Sequence, residues 1–132
     1  MKRRIAAVAC GFVVQICGLL LIHAVWLKSD YVATSNIWRA PGEQMMRAWA
    51  MPVSILIYVI AAVMLYRPGP KEQSRVMRGV GFGILLAMAV VVYGSLSGWV
   101  ILPVPGMLVA KWIVGESLLS CVLGVVIATL VR

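Results

Sequence analysis

The stretch IAAVACGFVVQICGLLLIHAVWL, residues 5–27, runs for 23 residues without a charge. Its clearly polar side chains are Gln15 and His23 alone. A helix needs about 20 such residues to cross the hydrocarbon of a bilayer, so this run predicts a transmembrane helix. Two more runs read the same way: Gly79–Ile101, 23 residues and uncharged, and Gly106–Val131, 26 residues that include Lys111 and Glu116. A fourth, Met51–Tyr66, has only 16 residues, about 24 Å at 1.5 Å per residue. It is long enough only if the helix starts near Glu43. The expectation is four helices at about 5–27, 44–66, 79–101 and 106–131, in one domain covering 1–132.

Composition agrees. Hydrophobic residues make up 63% of the chain and the mean hydropathy is +1.01, against about 45–50% apolar for soluble domains. Spans in lipid must pair their own backbone groups, and runs this long do so as helices rather than barrel strands. The fold class expected is therefore all-α, a four-helix up-down bundle with sequential helices as neighbours. Met1-Lys2-Arg3-Arg4 resembles the start of a signal peptide, but the apolar run is too long for one and no cleavage site closes it; an uncleaved first helix is expected. The three cysteines, Cys10, Cys17 and Cys121, form no C-x-x-C. They are expected as buried free thiols that act as small packing residues.

Basic residues set the orientation. Lys2, Arg3 and Arg4 precede the first helix, and Arg67, Lys71, Arg75 and Arg78 against Glu72 fill the second loop. The positive-inside rule puts both ends in the cytoplasm of a bacterial inner membrane. Trp26, Trp38, Trp49, Trp99 and Trp112 all map to the opposite side, as an aromatic belt does. The net charge of +8 is then mainly a topology signal. It does not imply nucleic acid, because no soluble basic domain is present. Segment 28–50, with Tyr31, Trp38, Met45 and Met46, is read as a cap on the outer surface, helical from Glu43 to Ala50, with Pro52 able to kink the second helix. Small residues at four-residue spacing, Gly79/Gly83, Gly94/Gly98, Ala7/Gly11 and Ser120/Gly124/Ala128, predict close helix contacts within the bundle.

The polar residues inside these spans are the candidate site. Lys111, one turn from the outer end, snorkels to the interface. Glu116 lies 16 residues from Arg132, about 24 Å up the helix. It shares a row with Trp112, Ser120 and Gly124, which faces the bundle. His23 (19 residues above Arg4), Tyr93 (15 above Arg78) and Ser54 (13 from Arg67) fall at about 28, 22 and 20 Å. The expectation is a cluster of Glu116, His23 and Tyr93, with Ser54 as a further member, roofed by Trp26, Trp99 and Trp112; Gln15 lies deeper. Such a cluster is either interhelical glue or a functional site, which intramembrane ionisable groups commonly mark. Arg39 either ties the outer cap down or faces an anionic ligand.

His23-Ala-Val-Trp-Leu27, Ile37-Trp38-Arg39, Gly79-Val-Gly-Phe-Gly83 and Lys111-Trp-Ile-Val-Gly-Glu116 resemble small bacterial inner-membrane proteins of uncharacterised four-helix families. The resemblance covers most of the chain and implies a fold and a compartment, without an activity. The chain is also similar in size to small multidrug-resistance transporters, which carry an intramembrane glutamate. That family's glutamate is in the first helix, where this chain offers Gln15; here the acid is Glu116.

No catalytic motif, metal-ligand set or cofactor signature is present. Three functions follow as expectations. The first is a non-enzymatic accessory subunit or binding module, partnered by the bilayer and by a larger complex or a second copy. The second is a dimeric proton-coupled transporter using Glu116. The third is a haem or redox protein, for which His23 would need a second axial ligand.

Overall fold

The computed structural model describes residues 1–69 and 72–131; the sequence readings that concern Pro70, Lys71 and Arg132 fall outside them. Helices are the sole regular structure among the described residues. In chain order they are α1 (Lys2–Trp26), α2 (Lys28–Ala33), α3 (Pro41–Arg47), α4 (Ala50–Leu65), α5 (Arg75–Ile101) and α6 (Gly106–Leu130). A single 3₁₀ turn, Ser35–Ile37, follows α2. α1, α5 and α6 are each long and apolar enough to cross a membrane, and α3 with α4 make a fourth candidate if the bent pair is one span.

That bend corrects the continuous helix expected at 44–66. α3 and α4 meet at 42°, with Ala48 and Trp49 outside both. The cause is Pro52. It has no N–H to offer the carbonyl of Ala48, four residues back, and its ring crowds that position. The Ala48 carbonyl instead accepts from the amide of Met51 at 3.3 Å. α3 is exposed throughout, so the part of the outer segment that caps the bundle is α2 and its 3₁₀ turn.

α6 is the central helix. It packs against α1 on one side and α5 on the other, and α4 packs on α1. α5 approaches α6 backbone to backbone: a Cβ at Gly79 would lie 2.5 Å from the Val125 Cα, and one at Gly83 2.5 Å from the Ser120 carbonyl oxygen. Gly124 on α6 faces Gly79 in return, so two small-residue rows mesh. Gly94 and Gly98 have nothing opposite them within 4 Å, and that pair makes no such contact. α1 seats Gly11 against Leu123 and Val59, and Gly18 against Leu119. Tyr66, the residue that ends α4, meets Phe82 of α5 with ring centroids 5.2 Å apart. The core at that end includes Ala7, Val59, Leu123 and Ile127.

The thiols differ from expectation. Cys10 and Cys17 are exposed and Cys121 is half-buried, all free. Seven residues apart, Cys10 and Cys17 share one face of α1, and that face is turned away from α6 and α4.

Two local distortions shape the far end. α1 closes in a π turn, Leu21–Trp26, ended by a Leu27 amide that donates to the Ile22 carbonyl at 2.8 Å. Leu27 is wholly buried and pins the chain where α2 turns across the bundle. α5 carries a π stretch, Ala87–Val92. The wider turn rotates everything beyond it relative to Gly79 and Gly83.

Candidate functional site

The polar residues that come together lie at the α2 end of the bundle, supplied by α1, α2 and α6. His23, in the π turn of α1, places Nε2 3.2 Å from Glu116 Oε1 on α6. Its Nδ1 lies 2.6 Å from the Tyr31 hydroxyl. The same hydroxyl accepts a hydrogen bond from the Trp112 indole N–H at 2.8 Å. Four side chains from three elements thus form one chain of contacts: Trp112, Tyr31, His23, Glu116.

α2 is held over this chain by charge and by aromatic packing. Lys111 Nζ donates to both oxygens of Asp30 at 2.9 Å. Trp38 stands edge-on to Tyr31, centroids 5.4 Å apart, and packs 6.3 Å from Trp112. Its indole N–H donates to the Thr34 hydroxyl at 3.0 Å, and that hydroxyl donates to the Asp30 carbonyl at 2.8 Å. Asp30, Tyr31, Thr34 and Trp38 all use their polar atoms in these contacts, which hold the short cap segment in place.

Burial raises the pKa of the Tyr31 phenol to about 12. The Trp112 hydrogen bond opposes that shift, while the negative charges of Glu116 and Asp30 add to it. The phenol is therefore neutral, a donor, throughout the physiological range.

The structure divides the sequence-predicted residues. It brings His23 and Glu116 together. Tyr93 is 72% exposed and does not join them: α5 sets Gly79 against Val125 and Gly83 against Ser120, a register that carries Tyr93 past Glu116 towards Lys111, and the π stretch just before it turns it off the packed face. Ser54 is exposed, and its hydroxyl donates to the Met51 carbonyl at 2.8 Å, as a serine in a helix commonly does. Gln15 is 5% exposed on the same α1 face but two turns deeper, and its Nε2 has no hydrogen-bond partner among the described residues. Trp112 is part of the network itself. Trp26 covers Gly115 and Trp99 lies over Gly106; the ring above Tyr31 is Trp38. Arg39 does not tie the cap down. It is exposed, 3.8 Å from Glu43 on α3.

Tyr31, Asp30 and Trp38 are the residues that sequence reasoning missed. The available signal was the charge balance, since an acid in an outer segment is a natural partner for a lysine one turn inside the facing helix. No group of three or more metal-ligating side chains occurs among the described residues. Both nitrogens of His23 are engaged, Nε2 with Glu116 and Nδ1 with Tyr31. No family model, curated protein or solved structure matches the chain.

Proposed function

We propose that this chain is an integral protein of the bacterial inner membrane, with four spans in an up-down bundle and both termini in the cytoplasm. It acts there without catalysing a reaction, as an accessory subunit or binding module. Its working surface is the His23–Glu116–Tyr31–Trp112 network at the periplasmic end. The observation that carries this reading is the state of the His23–Glu116 contact. His23 and Glu116 join α1 to α6, yet their side chains stay 31% and 29% exposed. A carboxylate used only as glue would be shut between its helices. This one keeps a face open to a partner, which intramembrane acids rarely do without use.

The charge pattern supports the orientation, because Lys2, Arg3 and Arg4 share an end with the Arg67–Arg78 loop. The shortness of α4, about 24 Å, is consistent with α3 lying at the headgroups before the chain enters the hydrocarbon.

The test is association in mild detergent, read as intact mass by native mass spectrometry. The wild type should run with a protein partner or a second copy, and Glu116→Gln should lose it while keeping its helix content. A wild type that is a lone monomer without a bound molecule, or a Glu116→Gln variant that keeps its partner, overturns the reading. Reporter fusions at Ile37 and at Gln73 test the topology: activity of a periplasmic reporter at Gln73 would reverse the orientation.

A further inference from the structure

His23 is the chain's one histidine, and its neighbours fix where its proton sits. An indole N–H donates and cannot accept. Trp112 therefore occupies one lone pair of the Tyr31 oxygen, 2.8 Å away. The phenol's own proton then has one near acceptor, His23 Nδ1 at 2.6 Å, provided that nitrogen is bare. At the other side of the ring, Nε2 faces a carboxylate oxygen at 3.2 Å, a contact that, with Glu116 ionised, attracts only if Nε2 carries hydrogen.

The two alternatives each leave a fault. With the proton on Nδ1, two lone pairs oppose each other at Glu116 and the Tyr31 O–H loses its acceptor. With both nitrogens protonated, the Glu116 contact is kept, but the Tyr31 oxygen must accept from Trp112 and from Nδ1 together and turn its own proton out of the network. The neutral Nε2–H form beside an ionised Glu116 satisfies every donor, and this is how a tautomer is assigned from its network. Of the other charged groups on the two elements packed against His23, Asp30 and Lys111 neutralise each other, and Lys28 is exposed.

We propose that Trp112 and Tyr31 hold His23 as the neutral Nε2–H tautomer, making Tyr31 and His23 a directed proton path onto Glu116. The step balances. Tyr31 is half-buried, and in this step its oxygen takes a proton from solvent as its original O–H bond breaks. That original proton forms Nδ1–H. The Nε2–H bond breaks, and its proton joins Glu116 Oε1. One proton has moved from solvent to the carboxylate, Tyr31 is again a neutral phenol, and His23 is neutral with its proton on Nδ1. Nothing is oxidised or reduced. Tyr31 carries the proton in this scheme, and Trp112 is a positioning residue, since it acts through the Tyr31 oxygen.

The path rests on the proposed membrane reading only in treating the α2 end as facing water; the tautomer is read from the protein by itself, so either idea can fail alone. The experiment is nitrogen NMR on protein carrying ¹⁵N-histidine, which reports one imidazole, at neutral pH in bilayers. The wild type should show a bare Nδ1 and a protonated Nε2. Tyr31→Phe should leave Nε2 protonated by its contact with Glu116 and let Nδ1 take up a proton too, with helix content unchanged. If Tyr31→Phe fails to fold, Trp112→Phe serves in its place with the same expected change. A wild type with Nδ1–H, or a variant that keeps the pure Nε2–H form, overturns the assignment. For the transfer itself, infrared spectroscopy after a pH jump follows the Glu116 carboxyl band, identified by its absence in Glu116→Gln. Tyr31→Phe should slow that protonation on the order of 100-fold, the low end for loss of a proton-transfer partner. Equal rates would show that the path is not used.

Discussion

Lys111 reaches Asp30 across 81 residues of sequence and holds both carboxylate oxygens at 2.9 Å. This contact fastens α2 to α6. It also converts a lysine that would otherwise snorkel past the helix end into a fixed donor. Because both side chains keep a quarter to a third of their surface exposed, the pair is closer to a surface bridge than to a buried one. Asp30→Asn should cost about 0.5–1 kcal/mol. Hydrogen exchange of residues 28–37 should rise while that of α6 stays unchanged. Unaltered exchange in the cap would mean that the aromatic contacts of Tyr31 and Trp38 hold it alone.

The glycines of α5 give a graded test of packing. Gly83→Ala puts a methyl against the backbone of Ser120 and Cys121, which cannot move as a side chain would. A loss of about 1–3 kcal/mol is expected, as for other overpacked contacts. Gly94→Ala and Gly98→Ala meet nothing within 4 Å and should leave the thermal midpoint in detergent unchanged. Equal effects at Gly83 and Gly94 would show that α5 packs as closely beyond its π stretch as before it.

What the sequence revealed and what it hid divide along one physical line. Span lengths and depths depend on a fixed rise per residue, so the three long helices and the common level of His23 and Glu116 could be computed directly. Azimuth depends on an unbroken 3.6-residue period. Tyr93 was placed by height alone, and the π stretch at Ala87–Val92 breaks the period that would have given its face. Tyr31 was hidden for a different reason. It lies beyond the helix break at Leu27, where neither depth nor period constrains a side chain, and only the path of α2 brings it back to His23.

Replacing Glu116 separates charge from hydrogen bonding. Glu116→Gln retains an oxygen that can accept from His23 Nε2–H, so the melting temperature in detergent should change little. Glu116→Leu removes the acceptor and should cost about 1 kcal/mol, the low end for an unpaired donor because the site is partly open. If Gln and Leu destabilise equally, the ionic character of the pair is what stabilises the α1–α6 contact.

Alkaline pH tests the buried phenol. The Tyr31 pKa is raised from 10.0 to about 12, chiefly by burial. In the unfolded chain it ionises near its ordinary value. Between these two values the folded protein holds a proton that the unfolded chain has lost, so stability must fall as pH rises. The contribution is whole below about pH 10 and is lost by about pH 12. Tyr31→Phe removes that group, and its unfolding free energy should fall less steeply across this window than that of the wild type. Ultraviolet titration gives the matching signal: the wild type should show a late-ionising tyrosinate that the variant lacks. Parallel stability curves for the two proteins would mean that Tyr31 ionises in the folded state as it does in water. The phenol would then not be the enclosed donor to His23 that the 2.6 Å contact requires.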